Sequence, residues 1–195
     1  SQLIWQERNL FAVVDQQLMQ VDLSSGELSL MAWSSGTSRR YANCHGQWFW
    51  TEQTDNGWAL YKLTQGAPVR LVEHAVDLAC GPNRSLVLQY HNNSKLQRYL
   101  LENAKVQPLP IDIDWRSTEA DLWGTNNQAI YWVDAKQHLQ QFDWVTKSTK
   151  SVALPSTLKP EALYVTAESK ELYLLQRRSQ ETEVVRLQAM PISEH

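Results

Sequence analysis

Short apolar runs alternate with polar pairs along almost the whole chain. The run Leu10–Val14 is followed after one residue by Gln16-Gln17, and the run Gln47–Glu52 is followed by the turn residues Asp55–Gly57. Runs of this length, closed by polar or glycine-containing pairs, are typical of β-hairpins. Asn56-Gly57 is the strongest turn signal, because both central positions of a type I′ turn need a positive φ. Helical periodicity is poor throughout, so the pattern predicts an all-β chain.

A second pattern repeats at longer range, as an apolar residue followed three positions later by another apolar residue. This step begins at Leu18, Leu60, Leu96, Leu139 and Val184. The intervals between successive steps are 42, 36, 43 and 45 residues. A period near 40 residues that is built from short strands is typical of a propeller with one sheet per repeat. We therefore expect a β-propeller of about five blades in a single domain spanning residues 1–195.

Each complete repeat contains about four strand candidates, which is the content of one propeller blade. The repeats span approximately residues 3–31, 41–72, 76–110, 120–154 and 162–190. The fifth repeat stops after its third candidate, and Leu3–Trp5 can serve either as the first strand of repeat one or as the last strand of repeat five. The sequence favours a ring with one irregular blade, and a fragment of a larger propeller is the alternative.

The fourth repeat carries the segment Ile130-Tyr131-Trp132-Val133-Asp134, followed by Leu139 and by Phe142-Asp143. This segment resembles the YWTD-type propeller repeat. In the first repeat the terminal acid is kept as Asp15, and in the second it is replaced by Glu52. The resemblance supports membership of the propeller superfamily over nearly the whole chain. The YWTD class would imply six blades, whereas this sequence has five repeats.

Charge and hydropathy exclude two classes of function for this segment. The formal net charge is −3 and the charges are interspersed, whereas a nucleic-acid-binding segment carries a basic patch. Arg39-Arg40 and Arg177-Arg178 are too short to form such a patch, and we interpret them as solvated turns. No stretch reaches the roughly 18 consecutive apolar residues of a membrane helix, and no signal segment follows Ser1. We expect neither bound nucleic acid nor a membrane span here, and interpret the chain as a part of a larger protein.

The two cysteines, Cys44 and Cys80, occupy equivalent places in neighbouring repeats, each at the end of a strand candidate. A disulfide requires Cα atoms within about 7 Å of each other, which is a tight fit for neighbouring sheets. The sequence therefore favours two buried free thiols that act as small apolar groups. A disulfide is the alternative, because the shortest interval, 36 residues, falls at this junction. No C-x-x-C pair indicates a metal site.

Four residues are candidates for ligand binding. Asp77 and Asp121 are acids at matched places near the start of two first strands, although a calcium site would need six or more converging oxygens. Most of the nine tryptophans are expected to pack between sheets, and Trp58 and Trp115 are candidates for a ligand platform at the surface. We assign no catalytic residue, metal ligand or cofactor, since no G-x-S-x-G, P-loop or H-E-x-x-H motif is present.

Three functions agree with these residues. The first is a non-catalytic propeller that binds a protein or a small-molecule ligand. It would be the sensor or interaction module of a larger extracytoplasmic (periplasmic) protein, such as a membrane-anchored bacterial transcriptional regulator. The second is a lactonase-like or cyclotransferase-like enzyme, whose site at the channel mouth would bring together Asp77, Asp121, Glu52 and either His45 or His74. The third is an assembly scaffold that offers a sheet edge to a partner. The absence of a convergent catalytic motif favours the first.

Overall fold

The structure is a computed structural model that describes residues 2–6, 9–33, 36–91, 95–113, 122–166, 171–178 and 181–188. These residues form five antiparallel sheets, each built from strands that are consecutive in the chain and numbered here sheet 1 to sheet 5. The prediction of an all-β chain is confirmed. In the part of the chain that the structure describes, no helix has the length and hydropathy that a membrane-spanning helix needs.

The chain divides into two compact units, and sheets 1 to 3 lie in the first of them. Sheet 1 consists of β1 (Gln2–Gln6), β2 (Asn9–Val14), β3 (Gln17–Val21) and β4 (Leu28–Trp33). Sheet 2 consists of β5 (Thr37–Cys44), β6 (Gln47–Thr54), β7 (Gly57–Thr64) and β8 (Ala67–Glu73). Sheet 3 consists of β9 (Ala75–Gly81), β10 (Ser85–Tyr90), β11 (Lys95–Leu100) and β12 (Lys105–Asp112). Leu3 pairs with Ala12, so the first apolar segment belongs to sheet 1.

Sheets 4 and 5 lie in the second unit. Sheet 4 consists of β13 (Trp123–Thr125), β14 (Ala129–Val133), β15 (His138–Asp143) and β16 (Thr149–Ala153). Among the described residues, sheet 5 consists of β17 (Pro160–Val165), β18 (Glu171–Arg178) and β19 (Glu181–Gln188). Arg177-Arg178 therefore continues a strand, and its interpretation as part of a turn is wrong.

The long-range apolar step marks the same strand in every sheet. Its five starting residues, Leu18, Leu60, Leu96, Leu139 and Val184, lie in β3, β7, β11, β15 and β19. Each of these is the third strand of its sheet, and the first three of the residues are fully buried. The spacing therefore reports the repetition of one structural layer, as a repeat architecture requires.

Positive φ angles explain the tight hairpins. His45 and Gly46, which join β5 to β6, have φ angles of 55° and 76°, as a two-residue type I′ turn requires. The hairpin turn predicted at Asp55–Gly57 is present, but its expected type I′ geometry at Asn56-Gly57 is wrong. The loop between β6 and β7 consists of Asp55 and Asn56, neither of which has a positive φ. Gly57, the first residue of β7, has a φ of 94°. Glycine suits this position because it lacks a Cβ.

Sheet 2 packs face to face with sheets 1 and 3 through alternating side chains. On β6, Trp48 and Trp50 belong to the apolar cluster shared with sheet 1, whereas Phe49 belongs to the cluster shared with sheet 3. The Trp50 ring stacks between Tyr41 and Tyr61, with centroid distances of 5.6 and 5.7 Å. Because successive side chains of a strand point to opposite faces, one strand supplies aromatic groups to two interfaces.

The second unit has its own core between sheets 4 and 5. Its buried members are Ala129, Tyr131, Val133, Leu158, Leu163, Leu172 and Leu174. The first strands of the two sheets also come close, since a Cβ on Gly124 would lie 2.7 Å from Cγ2 of Val165. A real Cβ does not approach another atom this closely, so a larger residue at position 124 would force Val165 to shift.

Candidate functional site

A β-bulge in the first strand of sheet 2 brings two arginines to one carboxylate. The register of β5 against β6 shifts between Ser38 and Arg40, which leaves Arg39 as the extra residue. Consecutive residues of a regular strand point to opposite faces, but a bulge redirects a side chain locally. Nε of Arg39 lies 3.5 Å from Oδ2 of Asp77, and Nε of Arg40 lies 3.2 Å from Oδ1. We call these three residues the Asp77 cluster.

The Asp77 carboxylate is completely buried, whereas the two arginine side chains keep 22% and 17% of their surface exposed. The backbone N–H of Leu78 also donates to Oδ1 of Asp77 at 2.8 Å, and Nη1 of Arg40 donates to the Leu78 carbonyl at 3.3 Å. A buried carboxylate is costly unless charged and hydrogen-bonding partners compensate its desolvation. The cluster supplies those partners and ties the first strands of sheets 2 and 3 together.

Two further buried polar contacts lie beside the cluster. The Thr51 hydroxyl donates to the carbonyl of Val76 at 2.9 Å, which links β6 to β9. The indole N–H of Trp50 donates to Oε2 of Glu52 at 3.0 Å. Glu52 is 2% exposed. Both contacts give hydrogen-bond partners to polar atoms that would otherwise be buried without one. The Glu52 carboxylate, like that of Asp77, is therefore bound by other groups of the protein.

A disulfide joins Cys44 to Cys80 at the other end of the same two strands. The Cα atoms are 5.3 Å apart and the cysteines are 36 residues apart in the sequence. The interpretation as two free thiols is wrong. The physical reason is the packing of sheets 2 and 3, whose first strands are held side by side by the Asp77 cluster and by the apolar core that includes Cys44, Phe49 and Leu78. The short interval of 36 residues falls at this junction.

Two other candidates that the structure describes, Trp58 and His45, lie in β7 and in the turn after β5. Trp58 is half-buried at the start of β7, and its carbonyl accepts a hydrogen bond from the His74 N–H at 2.6 Å. His45 follows Arg40 by five positions, or roughly 16 Å of strand. Asp121 and Trp115 lie outside the described residues. Among the described residues, no group of three or more His, Cys, Asp or Glu side chains could hold a metal ion together.

Sequence reasoning missed the two arginines. Arg39 and Arg40 lie within β5 and pair with Asp77, so their interpretation as a solvated turn is wrong. One signal could have found them, since both precede the first apolar residues of repeat two and Asp77 occupies nearly the same place in repeat three. A matched acid and base in the first strands of consecutive repeats predicts an ion pair between neighbouring sheets.

Two carboxylates with lowered pKa values, Asp22 and Asp143, lie in turns. The Ser24 hydroxyl and the backbone N–H groups of Ser25 and Ser24 donate to Asp22 and lower its pKa to about 2. The backbone N–H of Thr146 is the main cause that lowers the pKa of Asp143. These hydrogen bonds stabilise the ionised form. The two acids therefore stabilise the turns before β4 and β16.

The fold has relatives among solved structures. No protein-family model matches the sequence, and no curated protein matches it. The chain is similar to TolB from Acinetobacter baumannii, with a TM-score of 0.63, 12% identity and coverage of 88% of this chain and 46% of that one. It is similar to putative TolB from Agrobacterium tumefaciens, with a TM-score of 0.69, 8% identity and coverage of 92% and 73%.

A third similar structure is the nidogen/laminin complex, with a TM-score of 0.64, 12% identity and coverage of 91% of this chain and 73% of that one. The chain spans about half the length of the A. baumannii TolB that it matches. At these identities the similarity shows the fold. Together with the five antiparallel sheets, it shows that the chain has a β-propeller fold, as the repeat spacing predicts.

Proposed function

We propose that the chain is a non-catalytic binding module of a larger extracytoplasmic protein, and that its ligand is a protein or a small molecule. The observation that carries this proposal is the state of Asp77. Of the two matched acids that an enzyme site would use, Asp77 is the one that the structure describes, and it is closed in by Arg39, Arg40 and the Leu78 N–H. A carboxylate held in this way supports the sheets and has no access to a substrate.

The disulfide supports an extracytoplasmic compartment. Both cysteines of the sequence are used in it. Disulfides persist in the periplasm and outside cells and are rare in the reducing cytosol. The chain would accordingly be the sensor or interaction module of a protein with further domains, such as a membrane-anchored bacterial transcriptional regulator. Recognition of a protein partner by a similar fold is represented by the nidogen/laminin complex.

The compartment is tested by the redox state of the cysteines in cells. The full-length protein, produced in its own host, is treated with a thiol-reactive polyethylene-glycol maleimide under denaturing conditions, with and without prior reduction. We expect no mass shift before reduction and a shift of two labels after it. Two labels without reduction would place the chain in a reducing compartment and contradict this part of the proposal.

The non-catalytic role is tested with the substrates that the enzyme alternative predicts. The purified chain is incubated with aliphatic and aryl lactones and with peptides that begin with glutamine, and products are followed by mass spectrometry. We expect no turnover above buffer. Turnover that Asp77→Asn abolishes, in a variant that still shows the native circular dichroism spectrum, would establish the enzyme instead.

A further inference from the structure

The tip of the hairpin between β6 and β7 carries an asparagine that is followed directly by a glycine. Of all the asparagines in the sequence, only Asn56 precedes a glycine, Gly57. The backbone nitrogen of the following residue can attack the side-chain amide of an asparagine, and a Cβ on that following residue hinders the attack. Glycine has no Cβ. The sequence therefore contains one asparagine whose neighbour leaves the attacking nitrogen unhindered.

The side chain of Asn56 lies at the surface. The residue is exposed, and its backbone N–H donates to Oγ1 of Thr54 at 3.3 Å. This hydrogen bond holds the backbone of Asn56 and leaves its side chain out. Within the described part of the chain, no hydrogen bond engages the side-chain amide. The amide can therefore rotate towards the backbone nitrogen of Gly57.

The backbone of Gly57 lies where the hairpin opens most easily. Apart from its two neighbours in the chain, no heavy atom lies within 4 Å of the place where a Cβ of Gly57 would stand. Thr54 and Gly57 form the last pair of the ladder between β6 and β7. Loop tips and the ends of ladders open locally at low free energy. Attack by the Gly57 nitrogen therefore requires the opening of one pair and not the unfolding of sheet 2.

We propose that Asn56 is a site of spontaneous deamidation in the folded chain. The backbone nitrogen of Gly57 forms a bond to Cγ of Asn56, and the bond from Cγ to Nδ2 breaks. The amide nitrogen leaves as ammonia, with the proton that the backbone N–H gives up, and a succinimide ring remains. Water then adds to one of the two ring carbonyls and opens the ring, which gives aspartate or isoaspartate. The reaction consumes water alone and needs no oxidant or cofactor.

Asn103 provides a comparison within the same chain. It is also exposed, in the turn between β11 and β12. Its Oδ1 accepts a hydrogen bond from the backbone N–H of Lys105 at 3.1 Å, and the Cβ of Ala104 shields the nitrogen that would attack. Exposure is therefore common to Asn56 and Asn103, whereas the following glycine and the unengaged amide are not. We expect Asn103 to stay intact under conditions in which Asn56 reacts.

Deamidation changes the charge and the shape of the hairpin tip. Aspartate at position 56 adds a negative charge beside Asp55. Isoaspartate also lengthens the backbone by one carbon, in a loop that consists of Asp55 and Asn56. Trp58, a candidate for ligand binding, follows two positions further along the chain. The modification thus brings negative charge close to a candidate binding residue, although it does not itself depend on the proposed binding function.

The test is peptide mapping by tandem mass spectrometry of the purified, folded chain after incubation at neutral and at mildly alkaline pH. We expect the peptide that contains Asn56 to gain the mass difference between an amide and a carboxyl group. Conversion should be faster at the higher pH, because base removes the proton of the Gly57 N–H. Methylation by an isoaspartate-specific methyltransferase identifies isoaspartate among the products. The peptide that contains Asn103 should stay unmodified in the same sample.

The matched variants are Asn56→Gln and Asn103→Gln. Asn56→Gln keeps an amide but needs a larger ring, so it should lose the conversion, whereas Asn103→Gln should leave conversion at Asn56 unchanged. Circular dichroism verifies that both variants are folded. Equal conversion at Asn56 and Asn103 in the wild-type chain would overturn the proposal. So would conversion at Asn56 that occurs only when the chain is unfolded in urea, since the hairpin would then protect this residue.

Discussion

Nε of Arg40 lies 3.2 Å from Oδ1 of Asp77, across the junction between the first strands of sheets 2 and 3. Four residues further along β5 and three further along β9, Cys44 and Cys80 form a disulfide. The two strands are therefore joined at both ends, by an ion cluster at the start of each and a covalent bond at the other end. The apolar core that sheets 2 and 3 share keeps these two strands side by side.

The buried charge cluster predicts a large loss of stability when its acid is neutralised. Asp77→Asn keeps the size of the side chain but leaves Arg39 and Arg40 without this carboxylate. Removing one partner of a buried ion pair costs about 3 to 5 kcal/mol, because the remaining charge stays desolvated. We expect the free energy of unfolding in urea to fall by an amount in this range.

A surface ion pair provides the control for Asp77→Asn. Arg70 and Glu73 on β8 approach to 3.4 Å, with side chains 36% and 66% exposed. Exposed pairs of this kind contribute about 0 to 1 kcal/mol. Glu73→Gln should therefore change the unfolding free energy much less than Asp77→Asn. Equal effects of the two variants would mean that the Asp77 cluster does not stabilise the junction.

The repeat pattern and the cluster differ in how much of them the sequence encodes locally. The apolar step at Leu18 and Leu60 marks the third strand of each sheet, and its repetition along the chain can be recognised from residue types alone. The cluster depends instead on a bulge at Arg39, where the regular alternation that sequence reasoning assumes does not hold. The disulfide depends on the packing distance between two sheets, which the residues around Cys44 do not display and to which only the short interval of 36 residues pointed.

The disulfide predicts a second stability difference. Closing a loop of 36 residues restricts the unfolded chain, and the loop-entropy relation gives about 4 kcal/mol at 25 °C. Cys44→Ala/Cys80→Ala and the reduced wild-type chain should both lose stability of this order in urea unfolding. The oxidised wild-type chain is the reference. If reduction leaves its unfolding midpoint unchanged, the covalent link does not stabilise the junction.

The close approach of β13 and β17 predicts a compensating pair of substitutions. Gly124→Ala places a methyl group 2.7 Å from Cγ2 of Val165, and overpacking of this kind costs about 1 to 3 kcal/mol. Val165→Ala removes that methyl group, so the double variant should be more stable than Gly124→Ala alone. Thermal unfolding of the two single variants and the double variant measures the coupling. Strictly additive effects would contradict the contact.

The turn carboxylate Asp22 predicts a specific dependence of stability on pH. Hydrogen bonds from Ser24 and Ser25 lower its pKa to about 2 in the folded chain, whereas an unfolded aspartate titrates near pH 3.9. A group with a lowered folded-state pKa stabilises the protein above its unfolded pKa, and this contribution is lost as the pH falls. The stabilisation should thus be complete above about pH 5 and disappear between about pH 4 and pH 2.

Asp22→Asn isolates this contribution, because the amide keeps a hydrogen-bond acceptor that does not titrate. The wild-type chain should unfold at a higher temperature than Asp22→Asn at neutral pH, and the two curves should converge as the pH approaches 2. Asp143, whose pKa is also lowered, continues to titrate in both proteins. The Asp22→Asn variant therefore still loses some stability at acidic pH. A difference in melting temperature that stays constant from neutral pH down to pH 2 would show that Asp22 stabilises the turn independently of its ionisation.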